Sequence, residues 1–191
     1  MPTIVHGFDW PDRLVIGTIG MPGSRAFYLQ ARTGPRVVSV SIEKSQAEAI
    51  GEKVDEILDA LMTEDGNPFS VPPQAPVELI DNDGLDQPVE PEFRVGTISL
   101  GWDPTTFQLV IEAYPLLDGE VEAGGAADDE TDANDELFEP AEMLVVRIPV
   151  GTARAFAQRT IEIVGAGRPL CPLCGAPMDP DGHVCASLDE A

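Results

Sequence analysis

Hydrophobic and polar positions along the chain alternate in two different periods, and the switches between them outline the elements. Leu14–Ile19 reads as a short strand, followed by the turn Met21-Pro22-Gly23-Ser24, with Pro and then Gly where a type II turn wants them. Phe27–Ala31 is a second strand, Thr33-Gly34-Pro35 a second turn, and Arg36–Ile42 a third strand with Val38, Val40 and Ile42 on one face. A helix is predicted from about Glu43 to Leu61, where Ala47, Ile50, Val54, Ile57, Leu58 and Leu61 form one apolar stripe at three- and four-residue steps.

The second half replays this order. Phe93–Leu100, Phe107–Tyr114 and Met143–Val150 read as strands, with a turn at Gly101-Trp102-Asp103-Pro104, and a helix is predicted from about Thr152 to Val164. Gly17-Thr18-Ile19 matches Gly96-Thr97-Ile98, Phe27 matches Phe107, and the first helix stripe falls at a constant shift on Ala153, Phe156, Thr160, Ile163 and Val164. Amphipathic helices resemble one another by chance, but the shared element order favours two β-β-β-α units related by duplication. Hairpin-connected strands are antiparallel and each meander has one helix to cover it, so the expected class is α+β. The two units are expected to join edges or pack face to face, burying both stripes.

Charge divides the chain further. The protein has 34 acids against 11 bases, a net charge of −23, which disfavours any partner held mainly by its phosphates. The excess is local. Residues 63–92 hold eight acids and six prolines, and residues 118–142 hold eleven acids around Gly124-Gly125; neither segment contains Lys or Arg, and without them the net charge is −4. Such segments cannot bury enough apolar surface to offset their ordering entropy. Residues 118–142 read as a solvated loop, with an acidic decoy for a basic partner as the alternative. Residues 63–92 read as a linker ordered in places, with Val77-Glu78-Leu79-Ile80 as its packing segment. The expected organisation is a first unit over 1–62, the linker, a second unit over 93–166, and a tail over 167–191.

The tail carries the strongest chemical signal. Cys171-Pro172-Leu173-Cys174-Gly175 and His183-Val184-Cys185 supply three thiols and an imidazole, a closed tetrahedral set for structural Zn2+. The turn Asp179-Pro180-Asp181-Gly182 returns the chain to present the second pair. One zinc per chain is expected on Cys171, Cys174, His183 and Cys185, with the ion holding a segment that has no core of its own. A redox pair would cap a helix, and Pro177 argues against one. Met1–His6 lacks the basic start and apolar run of a signal peptide, and no run approaches membrane-spanning length, which points to a cytoplasmic protein in which cysteines bind metal rather than pair.

Other constellations are thin. His6 beside Asp9 would move protons only if the pair lined a cleft. The Gly17–Gly23 run joins two strands and reads as a hairpin turn rather than a phosphate loop. Arg147, Arg154, Arg159 and Arg168 make the C-terminal region locally basic; an RNA-facing strip is conceivable, while pairing with the protein's own acids is the plainer reading. No residue is assigned a catalytic or organic-cofactor role.

Phe8-Asp9, Pro11-Asp12-Arg13, Gly17-Thr18-Ile19-Gly20, Phe27–Ala31, Glu43-Lys44, Arg94–Thr97, Trp102-Asp103, Arg147–Gly151 and the Cys171–Cys185 tail resemble a family of uncharacterised actinobacterial conserved proteins. The resemblance spans nearly the full length outside the acidic segments; Ala186-Ser187 departs from it without touching a metal ligand. It implies no activity. Its members are often encoded near a mycothiol-biosynthesis ligase, a histidine-phosphatase-like protein and a phosphoinositide-kinase-like protein, which implies a shared pathway or partner.

Three functions follow as expectations. The first is a non-enzymatic zinc protein whose scaffold docks a protein partner. The second is an enzyme or small-ligand binder with a site between the units, drawing on Asp9, Arg13, Arg25, Glu43, Arg94 and Asp103. The third, nucleic-acid binding through the tail, runs against the charge balance.

Overall fold

In a computed structural model, residues 3–116, 141–167, 171 and 178 are described. The chain is an α+β protein: strands β1 (Ile4–Asp9), β2 (Arg13–Ile19), β3 (Ala26–Thr33) and β4 (Arg36–Ile42), helix α1 (Lys44–Met62), strands β5 (Pro91–Asp103), β6 (Gln108–Pro115) and β7 (Glu142–Pro149), and helix α2 (Val150–Gly165). One mixed seven-stranded sheet forms in the order β1-β7-β6-β5-β4-β3-β2. The meanders β2-β3-β4 and β5-β6-β7 are antiparallel, and they meet edge to edge where β4 runs parallel to β5 with an irregular register at Ser39/Ser41. The expected helix or strand in every predicted segment is present, and most of the predicted tail and of the 118–142 segment lies outside the described residues.

Local chemistry accounts for the turns. Gly23 takes φ 94° and Ser24 N–H donates to Met21 O at 2.9 Å, which is the type II turn the Pro-Gly pair requires. The second predicted turn at 101–104 is displaced. Strand β5 continues through Asp103, whose carboxylate accepts from Thr105 and Thr106 N–H at 2.9 and 3.3 Å and so starts the turn there. Phe107 therefore sits exposed in a left-handed turn position (φ 56°), whereas Phe27 is buried in β3, and the two phenylalanines are not equivalent.

Strand β1 has no counterpart in the sequence expectations. Most of its side chains are exposed, so it lacks an alternating pattern, and its ladder to β7 is parallel and joins residues far apart in sequence. Its position bends the whole sheet. β1 and β2 are the two edges, yet only Trp10-Pro11-Asp12 connects them. The four steps from Asp9 to Arg13 reach at most about 14 Å, whereas a flat seven-stranded sheet would hold its edges about 29 Å apart. The sheet must curl. Contacts across the curl fit this: Arg36 Nη1 donates to Gly7 O at 3.0 Å with its guanidinium 4.5 Å from the Phe8 ring centroid, and Gly34 N–H donates to Asp12 at 2.7 Å.

The concave face carries Leu14, Ile16, Leu29, Val38, Val40, Leu109, Ile111, Leu144, Val146 and Ile148, which share one core with the buried stripes of α1 and α2. The helices pack on each other where Gly51 faces Thr160; a Cβ at Gly51 would stand 3.1 Å from Thr160 Cγ2.

Residues 63–90 form a strap rather than a free tether. Val77 and Ile80 are exposed, while a short 3-10 turn over Val77–Leu79 sets Leu79 against α2 beside Gly151, and buried Val71 and Leu85 anchor the strap on either side of it. The strap runs along α2, where Arg154 Nε donates to Pro72 O and Ala75 N–H donates to Gln158, and then turns round the β2 edge onto the convex face. There Gln30 and Ser39, both buried, are covered: Gln30 Nε2 donates to Ser39 Oγ (3.0 Å) and Asp86 O (3.1 Å), and Asp86 N–H donates to Gln30 Oε1 (2.8 Å). The strap thus closes an edge that would otherwise offer free backbone groups to another chain.

The ends of the 117–140 segment are anchored independently of it. Leu116 N–H donates to Arg94 O at 2.8 Å, and Ile4 N–H donates to Ala141 O at 2.9 Å. Deleting residues 120–135 should therefore change stability by less than about 1 kcal/mol; a larger loss in thermal denaturation would show that the segment contributes packing.

Candidate functional site

A polar cleft of about 510 Å³ is bounded by β2, the strap and α2. Arg13 enters it from the first residue of β2 and Arg159 from α2, and both guanidinium groups converge on Asp81 of the strap. Arg13 grips the Asp81 carboxylate with Nε and Nη2 (2.5 and 3.0 Å), reaches Asp86 at 3.3 Å, and caps the carbonyls of Asp83 and Gly84. Arg159 donates to Asp81 Oδ1 (2.8 Å), to the Asp81 and Asp83 carbonyls, and to the outer edge of β2 at Ile16 O (3.4 Å).

The electrostatics follow from these bonds. The hydrogen bonds from Arg13 hold the Asp81 carboxyl below its usual range, the same contact raises Arg13, and burial lowers Arg159. Almost every donor of both guanidiniums is spent on the strap, so the cluster works as a clamp across the β2 edge. Thr152, Phe156, Asp12 and Glu78 line the remaining space.

The residues proposed for an inter-unit site divide among different places. Arg13 lies in this cleft. Arg25, Glu43 and Arg94 come together in a second groove of about 320 Å³ at the β4–β5 seam, with Ser41 and Lys44. Glu43 precedes α1, its N–H donating to Gln46 Oε1 at 2.8 Å, and Gln46 Nε2 in turn donates to Val95 O and Gly96 O, tying the helix start to β5. Asp9 accepts from Gln108 Nε2 at 2.8 Å, and Asp103 holds its own turn. The His6–Asp9 pair does not form: His6 Nε2 lies 3.1 Å from Glu142 on the neighbouring strand. The Gly17–Gly23 run is the hairpin turn between β2 and β3, as its sequence position implies.

The basic strip dissolves in three dimensions. Arg154 and Arg159 point inward and are satisfied by Asp55, Asp59 and Asp81, and Arg168 lies outside the described residues. Pairing of the C-terminal arginines with the protein's own acids is thus present for Arg154 and Arg159. Sequence reasoning missed Asp81, Asp86 and Gln30 as organising residues, because their partners are 9 to 78 residues away and no local spacing marks them. Of the four metal-ligand candidates, Cys171 is described and buried, while Cys174, His183 and Cys185 lie outside the described residues. Among the described residues no cluster of three or more His, Cys, Asp and Glu could hold a metal ion, and no helix is long and apolar enough to cross a membrane.

These features define an α+β protein on a curled mixed sheet, with an arginine–aspartate clamp sealing one edge. The chain belongs to a family described as a protein of unknown function (DUF3090), whose model matches residues 6–185. No curated protein and no solved structure matches it.

Proposed function

We propose that the chain is a non-enzymatic cytoplasmic zinc protein: two duplicated β-β-β-α units form a scaffold that carries a C-terminal zinc knuckle and docks a protein partner. The observation that carries this reading is the donor set Cys171, Cys174, His183 and Cys185, whose chemistry suits tetrahedral Zn2+ and leaves no open position for catalysis. The burial of Cys171 supports it, since a structural site keeps its thiolates from water. The saturation of the cleft's own cations also supports it: Arg13 and Arg159 are used to hold the strap, and Arg154 to join the two helices and the strap. The repeated meander-plus-helix order supports duplication.

Protein purified under reducing, chelator-free conditions should contain about one zinc per chain. Cys174→Ser should lose the metal and leave the main thermal transition in place, because the helix stripes end at Val164, before the ligands begin. Mass spectrometry of what co-purifies with wild type and Cys174→Ser identifies the partner and says whether the tail holds it. Zinc-free wild-type protein would overturn the reading.

The cleft between β2, strap and α2 favours a second reading, a small-ligand binder or enzyme with its site between the units. A compound that raises the melting temperature of wild type but not of Ala155→Trp, which would fill the cleft without removing a strap contact, would establish it. Nucleic-acid binding has the least support, given the inward use of Arg154 and Arg159.

A further inference from the structure

The groove at the β4–β5 seam is separate from the cleft, and its charge is opposite to that of the molecule around it. Arg25, Lys44 and Arg94 line it against a single carboxylate, Glu43, in a chain of net charge −23. Arg25 is laid over the Phe27 ring, 5.4 Å from guanidinium carbon to centroid, and its one hydrogen bond among the described residues is a long contact to Ile163 O at 3.5 Å. A guanidinium stacked this way is oriented, and its in-plane donors remain open for two-pronged recognition of an oxyanion. Arg94 is 58% exposed and is aimed by its 2.7 Å ion pair with Glu43. Lys44 has no ion-pair partner among the described residues, and Ser41 adds a hydroxyl where the β4–β5 ladder is irregular. Below the cations, Ala26, Phe27 and Ile42 make an apolar floor.

We infer that this groove binds a small organic phosphate monoester, its phosphate held by Arg25, Arg94 and Lys44 and its carbon body lying on Ala26, Phe27 and Ile42. Three cations around one groove favour a dianion over a carboxylate, and two arginines supply the paired donors that phosphate oxygens accept. The volume of about 320 Å³ is at the small end of ligand pockets, which run from about 300 Å³ upward, and suits a compact ester rather than a polymer. A competing acidic environment makes selectivity easier: the field of the rest of the molecule repels polyanions and leaves a compact anion as the species that fits.

The test uses the full-length, metal-loaded protein with phenyl phosphate, inorganic phosphate and benzoate as probes in titration calorimetry at low and physiological salt. Phenyl phosphate should bind saturably and more tightly than either other probe, and more weakly as salt rises. Arg25→Gln and Arg94→Gln should each weaken binding by about tenfold or more, the loss of one charged hydrogen-bond donor pair. Arg32→Gln removes a surface arginine outside the groove, paired with Asp86 at 3.6 Å, and should leave binding unchanged. Circular dichroism of each variant verifies the fold, and Lys44→Gln provides a further groove variant should either arginine variant misfold. Absence of saturable binding would overturn the proposal. So would equal affinity for benzoate, or an equal loss in Arg32→Gln.

Discussion

Arg154→Ala should destabilise the protein by about 3 kcal/mol and lower its melting temperature by about 6 to 12 °C. Arg154 projects from α2, is 2% exposed, and joins three parts of the molecule: Nη1 meets Asp55 at 2.5 Å and Nη2 meets Asp59 at 2.8 Å on α1, while Nε donates to Pro72 O of the strap at 3.0 Å. Removing one partner of a buried ion pair ordinarily costs about 3 to 5 kcal/mol because the other charge is stranded. Here Asp55 and Asp59 are 35% and 57% exposed and can recover water, which places the expectation at the lower end. The lost packing of the arginine stem adds to it. Arg154→Lys, with a point charge in place of a planar fork, should restore only part of the loss. Chemical denaturation of the three proteins checks the ranking; a cost below about 1 kcal/mol for the alanine variant would mean that the acids rehydrate with no net penalty.

Asp81→Ala should cost about 2 to 4 kcal/mol by a different route. It leaves two cations, Arg13 and Arg159, with side chains 9% and 11% exposed, without the carboxylate they share, and it frees the strap from the β2 edge. The same carboxylate makes stability depend on acid. Its folded pKa lies below the ordinary value of 3.8, chiefly through the Arg13 hydrogen bond, so its contribution is fully present above that value and is lost as pH falls through the lower folded pKa. Wild type should therefore lose stability below about pH 4, and Asp81→Asn should lose less over the same interval while starting lower at neutral pH. Parallel pH-dependent slopes for the two proteins would remove Asp81 from this role. Limited proteolysis at neutral pH offers a second readout, since the strap of Asp81→Ala should be cut earlier than that of wild type.

The two variants probe what the amino-acid pattern does not display. The helices were legible because Ala47, Ile50, Val54 and Leu58, and later Ala153, Phe156 and Thr160, recur at the helical period and must face a core. The meander strands were legible for the same kind of reason: Val38, Val40 and Ile42 alternate, and Pro22-Gly23 dictates a turn. Turn placement failed at Trp102-Asp103, where the strand runs on until a side-chain carboxylate can cap the turn, and β1 was invisible because an exposed edge strand carries no apolar alternation.

The clamp and the groove were legible only as separate residues. Arg25, Glu43 and Arg94 could be named as polar candidates, but their convergence depends on β4 lying parallel beside β5, a pairing between segments separated by helix and strap. Likewise, by composition alone the acidic proline-rich stretch over 63–92 reads only as a linker ordered in places. What turns it into an ordered strap is the pair of arginines brought to the β2 edge, which offset the cost of ordering it.

By itself, the sequence determined the α+β class, the two meander-plus-helix runs, the helix stripes and the Pro22-Gly23 turn, because each is written in spacings of a few residues. The tertiary structure alone decided the curled seven-stranded order, the edge seal by Asp81 with Arg13 and Arg159, the choice of Asp55 and Asp59 as partners of Arg154, and the cationic groove. Those depend on contacts between residues many tens of positions apart, whose energy exists only once the sheet has closed round its helices and water has been excluded from between them.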